Sequence, residues 1–244
     1  MRHLLQSVLL ALVASALLQS CTSTQARVVD LASSYIDARK IDLRVLLPPP
    51  PAENSETTRN EAALIIKLQS EIGPEEAERA RGDAEASIYR FADALGNPEG
   101  FTRKRVPRTH ALFRKVTLEQ AAVVHVGKEE FDRRRPFRAN PGIEPIVDKP
   151  RTASYPSGHS MWARTVGLLL ADMLPEYREK IMARADEYAF NRVVAGVHYP
   201  SDIEAGKLAA TALVAFLLAS PSFQQDYAEA KKELREALQL PAIP

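Results

Sequence analysis

Cysteine is almost absent from this chain of 244 residues, which contains a single one, Cys21. With one thiol, no intrachain disulfide can form, and zinc ribbons and CxxC redox motifs are excluded. The chain also has no excess of either charge, because 32 Lys and Arg residues face 31 Asp and Glu residues. A general nucleic-acid-binding surface needs a basic excess, so the composition does not indicate one.

Long apolar runs are scarce as well. Residues 4–18 form an apolar stretch behind Arg2 and His3, which is typical of a secretory signal. A membrane span needs about 20 apolar residues, so this stretch and the apolar core of residues 208–218 are both too short to predict one. The regular alternation of apolar and polar residues that predicts β-strands is missing from every segment of useful length.

The apolar stretch ends at Leu18-Gln-Ser-Cys21, which resembles a bacterial lipoprotein cleavage site with Cys21 as the new N-terminus. The resemblance implies cleavage after residue 20 and an outer-membrane anchor facing the periplasm, since Thr22 rather than Asp follows. A diacyl-modified cysteine would tether the protein without crossing the bilayer. The alternative is ordinary cleavage nearby that leaves Cys21 free.

Helical periodicity dominates the rest of the chain. It predicts helices over residues 62–72, 75–95, 107–130, 158–174, 175–197, 200–218 and 222–238. The proline run 48–51 predicts a polyproline II segment, and five prolines between residues 136 and 156 predict an extended loop. Ser220 is predicted to cap the last helix, with Pro221 in its first turn.

These elements predict an all-α fold, namely a single-domain helical bundle. The predicted organisation is a signal peptide over residues 1–20, a tether or leading segment over 21–42, and the helical domain over 43–244.

Three segments carry residues suited to phosphoryl chemistry, over 128–136, 156–159 and 191–202. Lys128 and Arg135 are seven residues apart and are predicted to share one face of a helix that Pro136 ends. Arg192 offers a guanidinium fork that matches two phosphoryl oxygens. Together they predict a site for a multiply charged anion.

The second and third segments add the reactive groups. Ser157 and Gly158 are predicted at a helix N-terminus, where free N–H groups and the helix dipole favour an anion. His198 and Asp202 are four residues apart, which suits a carboxylate that orients an imidazole. His159 supplies a second imidazole. This set contains the nucleophile, proton donor and fixed cations that covalent phosphoryl transfer needs.

Each feature alone has an ordinary structural interpretation. The Arg133–Arg135 run is typical of a solvated patch, a Ser-Gly pair is a common cap, and His198 with Asp202 is a plausible helix-start contact. In combination, their order and spacing closely resemble the signature of the acid phosphatase and type 2 phosphatidic acid phosphatase superfamily. That signature is Lys, six residues, Arg-Pro; then Pro-Ser-Gly-His; then Ser-Arg, five residues, His, three residues, Asp. Only Asn191 departs from it, standing where Ser is usual.

Residues 46–52 and 153–155 further resemble the class A bacterial acid phosphatases. By this resemblance, His198 attacks phosphorus and forms a phosphohistidine while Asp202 holds its ring. His159 protonates the leaving alcohol and then activates water. The residues implied in binding the phosphoryl oxygens are Lys128, Arg135, Ser157, Gly158 and Arg192.

The resemblance implies no metal and no other cofactor, and the sequence contains neither an HExxH nor an EF-hand pattern. We therefore expect activity that survives a chelator. A mildly acidic pH optimum is also expected, because His159 must be protonated while His198 is neutral.

The predicted activity is hydrolysis of phosphomonoesters with broad specificity, nucleotides included, and phosphotransfer to alcohols. The alternatives are a tethered lipid phosphatase using the same site, a vanadium haloperoxidase, and an inactive lipoprotein that binds anions or partners. Integral lipid phosphatases carry several spans of about 20 apolar residues, which this chain lacks. The expected partners are the substrates, a membrane only through Cys21, and a second copy of the chain; a nucleic acid polymer is not expected.

Overall fold

The computed structural model describes residues 34–243, within which helices are joined by loops and no β-strand occurs. The α-helices are α1 (Leu43–Leu46), α2 (Glu56–Glu71), α3 (Pro74–Gly82), α4 (Pro107–Phe131), α5 (Pro136–Ala139), α6 (Gly158–Met173), α7 (Arg178–Val194), α8 (Pro200–Leu218) and α9 (Pro221–Ala237). Short 3₁₀ turns lie at Ala38–Lys40, Ile88–Phe91, Asp93–Leu95 and Pro175–Tyr177. The predicted all-α fold is confirmed, whereas the predicted signal peptide and Cys21 lie outside the described residues.

Helix α6 is the central element and packs mainly against α7 and α8. Its side chains are buried on nearly every side, including Met161, Trp162, Val166 and Leu170. A helix that is apolar all round is stable only inside a core. The residues that begin α6 are therefore held by the most heavily packed helix of the bundle.

The apolar helix α8 does not qualify as a membrane span by itself. Among residues 34–243, no single helix is long and apolar enough to cross a bilayer. Helices α8 and α9 meet that test only as a pair, and they are bent by 96° at their junction.

Most helix boundaries agree with the prediction. Helices α4, α6 and α8 begin where predicted and end within one residue of the predicted positions. Helix α2 begins earlier than expected, at Glu56, because the Ser55 side chain accepts a hydrogen bond from the Thr58 N–H (3.2 Å) and caps it. The predicted helix over 175–197 divides into the 3₁₀ turn Pro175–Tyr177 and α7.

Two smaller expectations are corrected. The proline-rich loop 136–156 contains one helical turn, α5, because Pro136 is well suited to the first position of a helix. Ser220 stands at the N-cap position of α9, but its side chain makes no capping hydrogen bond.

The predicted helix over residues 75–95 is wrong beyond Gly82, where α3 ends. The next residue, Asp83, is fully buried and binds Arg184 in α7 through both carboxylate oxygens, at 2.9 and 2.5 Å. The chain must turn inward to make this contact, so it leaves the helical path. The remaining residues of the segment form only the short 3₁₀ turns.

The predicted domain boundary at residue 43 also differs from the structure, in which the compact helical unit begins at Tyr35. The Tyr35 ring packs edge-on against Phe223, with ring centroids 5.3 Å apart. Its hydroxyl donates a hydrogen bond to Asp226 (2.5 Å), and Ile41 is buried in the same core. Residues 35–42 thus belong to the compact helical unit, as a leading segment would.

Candidate active site

The three motif segments meet around the N-terminal end of α6. Ser157 caps α6, and its N–H donates to the carbonyl of Asp202 in the first turn of α8 (3.0 Å). Lys128 reaches the same region from the last turn of α4, where its Nζ donates to the carbonyl of Ala153 (2.7 Å). Arg192 arrives from the last turn of α7. The sequence-predicted residues are therefore assembled from α4, α6, α7 and α8 and from the loops that precede α5, α6 and α8.

His198 lies just before α8 and contacts Asp202, with Nδ1 3.3 Å from Oδ2. The same carboxylate oxygen accepts the N–H of Tyr199 (2.9 Å), which caps the helix. Asp202 thus makes the helix-start contact and also lies against the imidazole of His198, so the two interpretations of this pair are compatible. Asp202 is fully buried, so its carboxylate is held in one place.

The other ring nitrogen of His198 faces Arg135, with Nε2 3.0 Å from Nη1. A guanidinium can only donate, so Nε2 is the accepting, unprotonated nitrogen and Nδ1 carries the hydrogen that points at Asp202. Burial holds the pKa of His198 well below its usual value, and the positive charges of Arg135, Lys128 and Arg192 lower it further. His198 is therefore a neutral imidazole whose unprotonated Nε2 lies beside Arg135.

Arg135 is fixed by backbone carbonyls, since its Nε donates to Thr152 (2.9 Å) and its Nη1 to Val197 (2.8 Å). Burial lowers the pKa of Arg135 to about 10. Burial, followed by the charge of Arg135, lowers the pKa of Lys128 to about 7. Two cations are thus crowded together in a site that disfavours their charge.

Arg192 is the third cation and is 2% exposed. Its Nη1 lies 3.5 Å from the carbonyl of Asp83, whereas its buried Nε finds no hydrogen-bond partner within the described part of the chain. Burial lowers the pKa of Arg192 as well. A buried donor of this kind is costly unless a ligand accepts its hydrogen, and phosphoryl oxygens match a guanidinium fork.

The N-terminal turn of α6 begins at the residues where the sequence predicted it. Ser157 is the N-cap residue and accepts the N–H of Ser160 (3.3 Å), and Gly158 and His159 are the first two helical residues. Free N–H groups and the helix dipole at this end favour an anion.

His159 is held through Nε2, which lies 3.1 Å from the carbonyl of Ala84. Its ring stacks on Tyr188, with centroids 6.4 Å apart. A carbonyl can only accept, so Nε2 carries the hydrogen and Nδ1 is the nitrogen left for chemistry. Burial, followed by the charge of Arg192, lowers the pKa of His159 to about 3, although the Ala84 carbonyl opposes the shift.

One predicted relationship is wrong, because Lys128 and Arg135 do not share a helix face. Helix α4 ends at Phe131, and Asp132 adopts a left-handed conformation with φ of 38°. Arg135 instead precedes α5. The two cations still reach one site, but through a turn of the chain and not through helical spacing.

Arg133 was given no role by the sequence interpretation, because an arginine run taken alone is typical of a solvated patch. Arg134 fits that assignment and is 57% exposed, but Arg133 is buried. Its Nη1 donates to Asp202 Oδ1 (2.7 Å) and its Nη2 to Glu61 Oε2 (3.1 Å). No local signal distinguishes Arg133 from Arg134, because both partners of Arg133 are distant in sequence.

Ser154 and Asn191 complete the surroundings of the site. The Ser154 hydroxyl donates to Asp202 Oδ2 (2.5 Å), so it helps to orient the carboxylate. Asn191, which stands where the resembled family has Ser, donates to Asp83 Oδ2 (2.7 Å). Ser154 lies in the segment 153–155 that the sequence resemblance singled out, whereas nothing in the sequence pointed to Asp83.

Metal ligation has no obvious site in this part of the molecule. Over residues 34–243, no group of three or more His, Cys, Asp or Glu side chains is placed to hold an ion. Metal-independent activity remains a prediction.

Comparison with known proteins places the chain in a family. Residues 114–226 match the PAP2 superfamily. The chain is 32% identical over 206 residues to a non-specific acid phosphatase of Providencia stuartii, covering 81% of this chain and 82% of that protein. It is 26% identical over 205 residues to a non-specific acid phosphatase of Salmonella typhimurium, covering 80% and 81%.

Among solved structures, a bacterial vanadium-dependent iodoperoxidase is similar with a TM-score of 0.54. The identity is 18%, and the similar region covers 70% of this chain but only 52% of that one, so this similarity shows the fold alone. The relationship to Providencia stuartii acid phosphatase extends over about four-fifths of both sequences, and the region that matches the PAP2 superfamily includes all three motif segments. The chain therefore belongs to the PAP2 superfamily.

Proposed function

We propose that this protein hydrolyses phosphomonoesters without a metal ion, through a phosphohistidine formed at Nε2 of His198. Membership of the PAP2 superfamily and relatives named acid phosphatase make it a phosphatase. The observation that carries the mechanism is the state of His198. Nδ1 faces Asp202, and the unprotonated Nε2 lies 3.0 Å from the guanidinium of Arg135. A nucleophile and a phosphoryl-binding cation are thus side by side.

In the first step, the Nε2 lone pair of His198 forms a bond to phosphorus and the bond from phosphorus to the ester oxygen breaks. The leaving oxygen takes a proton from Nδ1 of His159. Lys128, Arg135 and Arg192 balance the charge on the phosphoryl oxygens, and the N-terminus of α6 adds N–H donors. Asp202 stabilises the positive charge that develops on the His198 ring.

In the second step, His159 takes a proton from water as the water oxygen attacks phosphorus. The P–N bond breaks, its electrons return to Nε2 of His198, and inorganic phosphate leaves. An alcohol in place of water would give phosphotransfer. Because the named contacts all bind the phosphoryl group, we propose broad specificity for the rest of the substrate, nucleotides included.

The protonation of His159 depends on the substrate. Its pKa of about 3 results from burial and from nearby cations, first of all Arg192. A phosphoryl dianion brings opposite charge to this group and raises its pKa. The bound substrate thus allows His159 to be protonated and to act as an acid. The mildly acidic pH optimum stays a prediction.

The test is release of p-nitrophenol from p-nitrophenyl phosphate at about pH 5–7 with EDTA present. We expect turnover in the natural protein, no turnover in His198→Ala, and unchanged turnover in His125→Ala. His125 is a matched control because it is an exposed histidine on α4, paired with Glu129.

Rapid acid-free quenching with a labelled substrate should trap phosphate on the natural protein in an alkali-stable, acid-labile bond. Turnover that persists in His198→Ala, or that EDTA abolishes, would contradict the proposal. Hydrolysis restricted to lipid phosphates would favour the tethered lipid phosphatase, and phosphate bound without turnover would favour an anion-binding protein.

We also propose that Cys21 is lipidated and anchors the protein to the outer membrane, facing the periplasm. The support is the charged start, the short apolar stretch and the Leu18-Gln-Ser-Cys21 sequence. Radioactive palmitate should label the natural chain in cells and not the Cys21→Ser variant. Equal labelling of both, or labelling of neither, would contradict the anchor.

A further inference from the structure

Asp83 is a fully buried carboxylate that the catalytic steps do not use. Its Oδ1 accepts hydrogen bonds from Arg184 Nη2 (2.5 Å) and Arg90 Nε (3.1 Å). Its Oδ2 accepts from Arg184 Nη1 (2.9 Å) and Asn191 Nδ2 (2.7 Å). With four donors on two oxygens, this side chain and the backbone beside it have little freedom to move.

The backbone that Asp83 fixes presents three consecutive carbonyls to the candidate active site. The carbonyl of Asp83 lies 3.5 Å from Arg192 Nη1, and that of Ala84 lies 3.1 Å from His159 Nε2. The carbonyl of Glu85 accepts the hydroxyl of Tyr188 (2.8 Å), whose ring stacks on His159. We call residues 83–85 the carbonyl loop. It contacts the edge of the His159 ring directly through Ala84, and it holds Tyr188, which packs against the face of that ring.

Asn191 connects this loop to the phosphate site. It precedes Arg192 in α7, so one residue holds Asp83 while the next faces the phosphoryl group. A serine hydroxyl at position 191 would end one covalent bond short of the amide nitrogen that contacts Asp83. The departure of this chain from the usual Ser thus coincides with a specific bond to the carbonyl loop.

We propose that Asn191 and Asp83 are positioning residues for the proton-donor step. Together they hold the carbonyl loop so that Ala84 binds Nε2 of His159 and leaves Nδ1 for the leaving group. This inference rests on the function proposed above and assigns to Asn191 a role in leaving-group protonation.

A positioning role for the proton donor has a specific kinetic signature. An alkyl phosphate has a basic leaving oxygen that needs protonation, whereas p-nitrophenolate is a stable anion that needs little. Weakened positioning of His159 should therefore reduce kcat/KM for the alkyl phosphate far more than for the aryl phosphate. General structural damage, or displacement of Arg192, would affect both substrates equally, because each carries the same phosphoryl group.

The experiment compares kcat/KM for glycerol phosphate and p-nitrophenyl phosphate in Asn191→Ala and Asp83→Asn. Since general acid catalysis contributes about 10²–10⁴-fold, we expect a loss of about tenfold or more for glycerol phosphate in Asn191→Ala. The loss for p-nitrophenyl phosphate should stay within about threefold. Asn191→Ala keeps both bonds between Asp83 and Arg184, so it carries the test if Asp83→Asn fails to fold.

Glu176→Gln is the matched control, because Glu176 pairs with the buried Arg235 at another end of the bundle. It should leave the ratio of the two kcat/KM values unchanged. If Asn191→Ala leaves the ratio of the two kcat/KM values unchanged, because both fall equally or neither falls, the proposal is overturned.

A second measurement is independent of turnover. Nitrogen-15 NMR of histidine-labelled protein should show His159 as the tautomer protonated at Nε2, and Asn191→Ala should shift it toward a mixture. A natural protein with His159 protonated at Nδ1 would contradict the positioning role. Activity that survives in His198→Ala would instead contradict the proposed phosphohistidine. The tautomer of His159 is measured without turnover, so that result would not change.

Discussion

Lys128 lies near the end of α4 with its ammonium group buried beside Arg135. Burial comes first and the neighbouring charge second among the causes that lower its pKa to about 7. At neutral pH, the free protein therefore contains Lys128 in both protonation states, and only the charged state attracts a phosphoryl group.

We expect kcat/KM for p-nitrophenyl phosphate to fall as the pH rises above about 7, because Lys128 loses its proton. In Lys128→Gln, kcat/KM should be lower by about 10–100-fold, in keeping with one charge-assisted contact of about 1.5–3 kcal/mol. The decrease of kcat/KM above about pH 7 that Lys128 causes should also disappear in Lys128→Gln. Lys232→Gln, at an exposed lysine of α9, should keep the natural pH profile. If kcat/KM of Lys128→Gln decreases at alkaline pH in the same way as that of the natural protein, Lys128 is not the group that causes the decrease.

Arg133 and Arg134 are adjacent residues of the same type with opposite environments. Arg133→Met leaves the buried carboxylates of Asp202 and Glu61 without their shared cation, which should lower the free energy of unfolding by about 3–5 kcal/mol. Arg134→Met removes only an exposed pair with Glu53, and it should cost less than about 1 kcal/mol. Urea unfolding of the two variants measures the difference, and equal losses would contradict the buried bridge.

At the scale of elements, α8, which His198 precedes, comes close to the start of α6, which carries His159. A Cβ added to Gly206 in α8 would lie 2.6 Å from the carbonyl oxygen of Ser157 and 2.9 Å from Ser160 Cβ. Any side chain at position 206 must therefore push the two helices apart.

Gly206→Ala should lower the free energy of unfolding by about 1–3 kcal/mol, as is typical of overpacking, and reduce kcat as well. Gly73→Ala is the matched control, since an added Cβ there meets nothing within 4 Å. Thermal unfolding and turnover of both variants test the prediction. A Gly206→Ala protein with natural kcat would show that the helix contact does not set the site geometry.

Elements whose signals are local were predicted well. The spacing of apolar residues and the flanking prolines were sufficient for α4, α6 and α8. The segment 75–95 has a similar pattern, but its second half is controlled by the pairing of Asp83 with Arg184, 101 residues away. Periodicity contains no information about such a partner, so the end of α3 could not be predicted.

At the scale of the whole molecule, the free energy of unfolding depends on pH, because basic groups are buried close to one another in the site. His159 has its pKa lowered from 6.5 to about 3 by folding, so between these values the unfolded chain binds a proton that the folded protein does not. Lys128 behaves likewise between 10.5 and about 7. Both groups therefore make the free energy of unfolding decrease as the pH falls through their windows.

An anion that occupies the site should offset this cost. We expect sulfate to raise Tm, and to raise it more at pH 5 than at pH 8, because Lys128 is largely neutral at the higher pH. A hundredfold excess over Kd corresponds to about 2.7 kcal/mol of stabilisation. Arg192→Gln should retain only the general stabilising effect of sulfate on proteins. Equal shifts of Tm in both proteins would argue against an anion site.

The all-α bundle could be predicted from short-range features, namely helical periodicity and capping residues. Motif spacing, which is also short-range, was enough to select residues that the fold brings together around His198. The tertiary structure alone revealed which nitrogen of His198 is unprotonated, that Arg133 is buried, and that Asp83 supports His159 through the carbonyl loop. The physical reason is the range of the interactions. Arg133 lies 69 residues from Asp202, and Ala84 lies 75 residues from His159, so only folding brings these groups within hydrogen-bond distance.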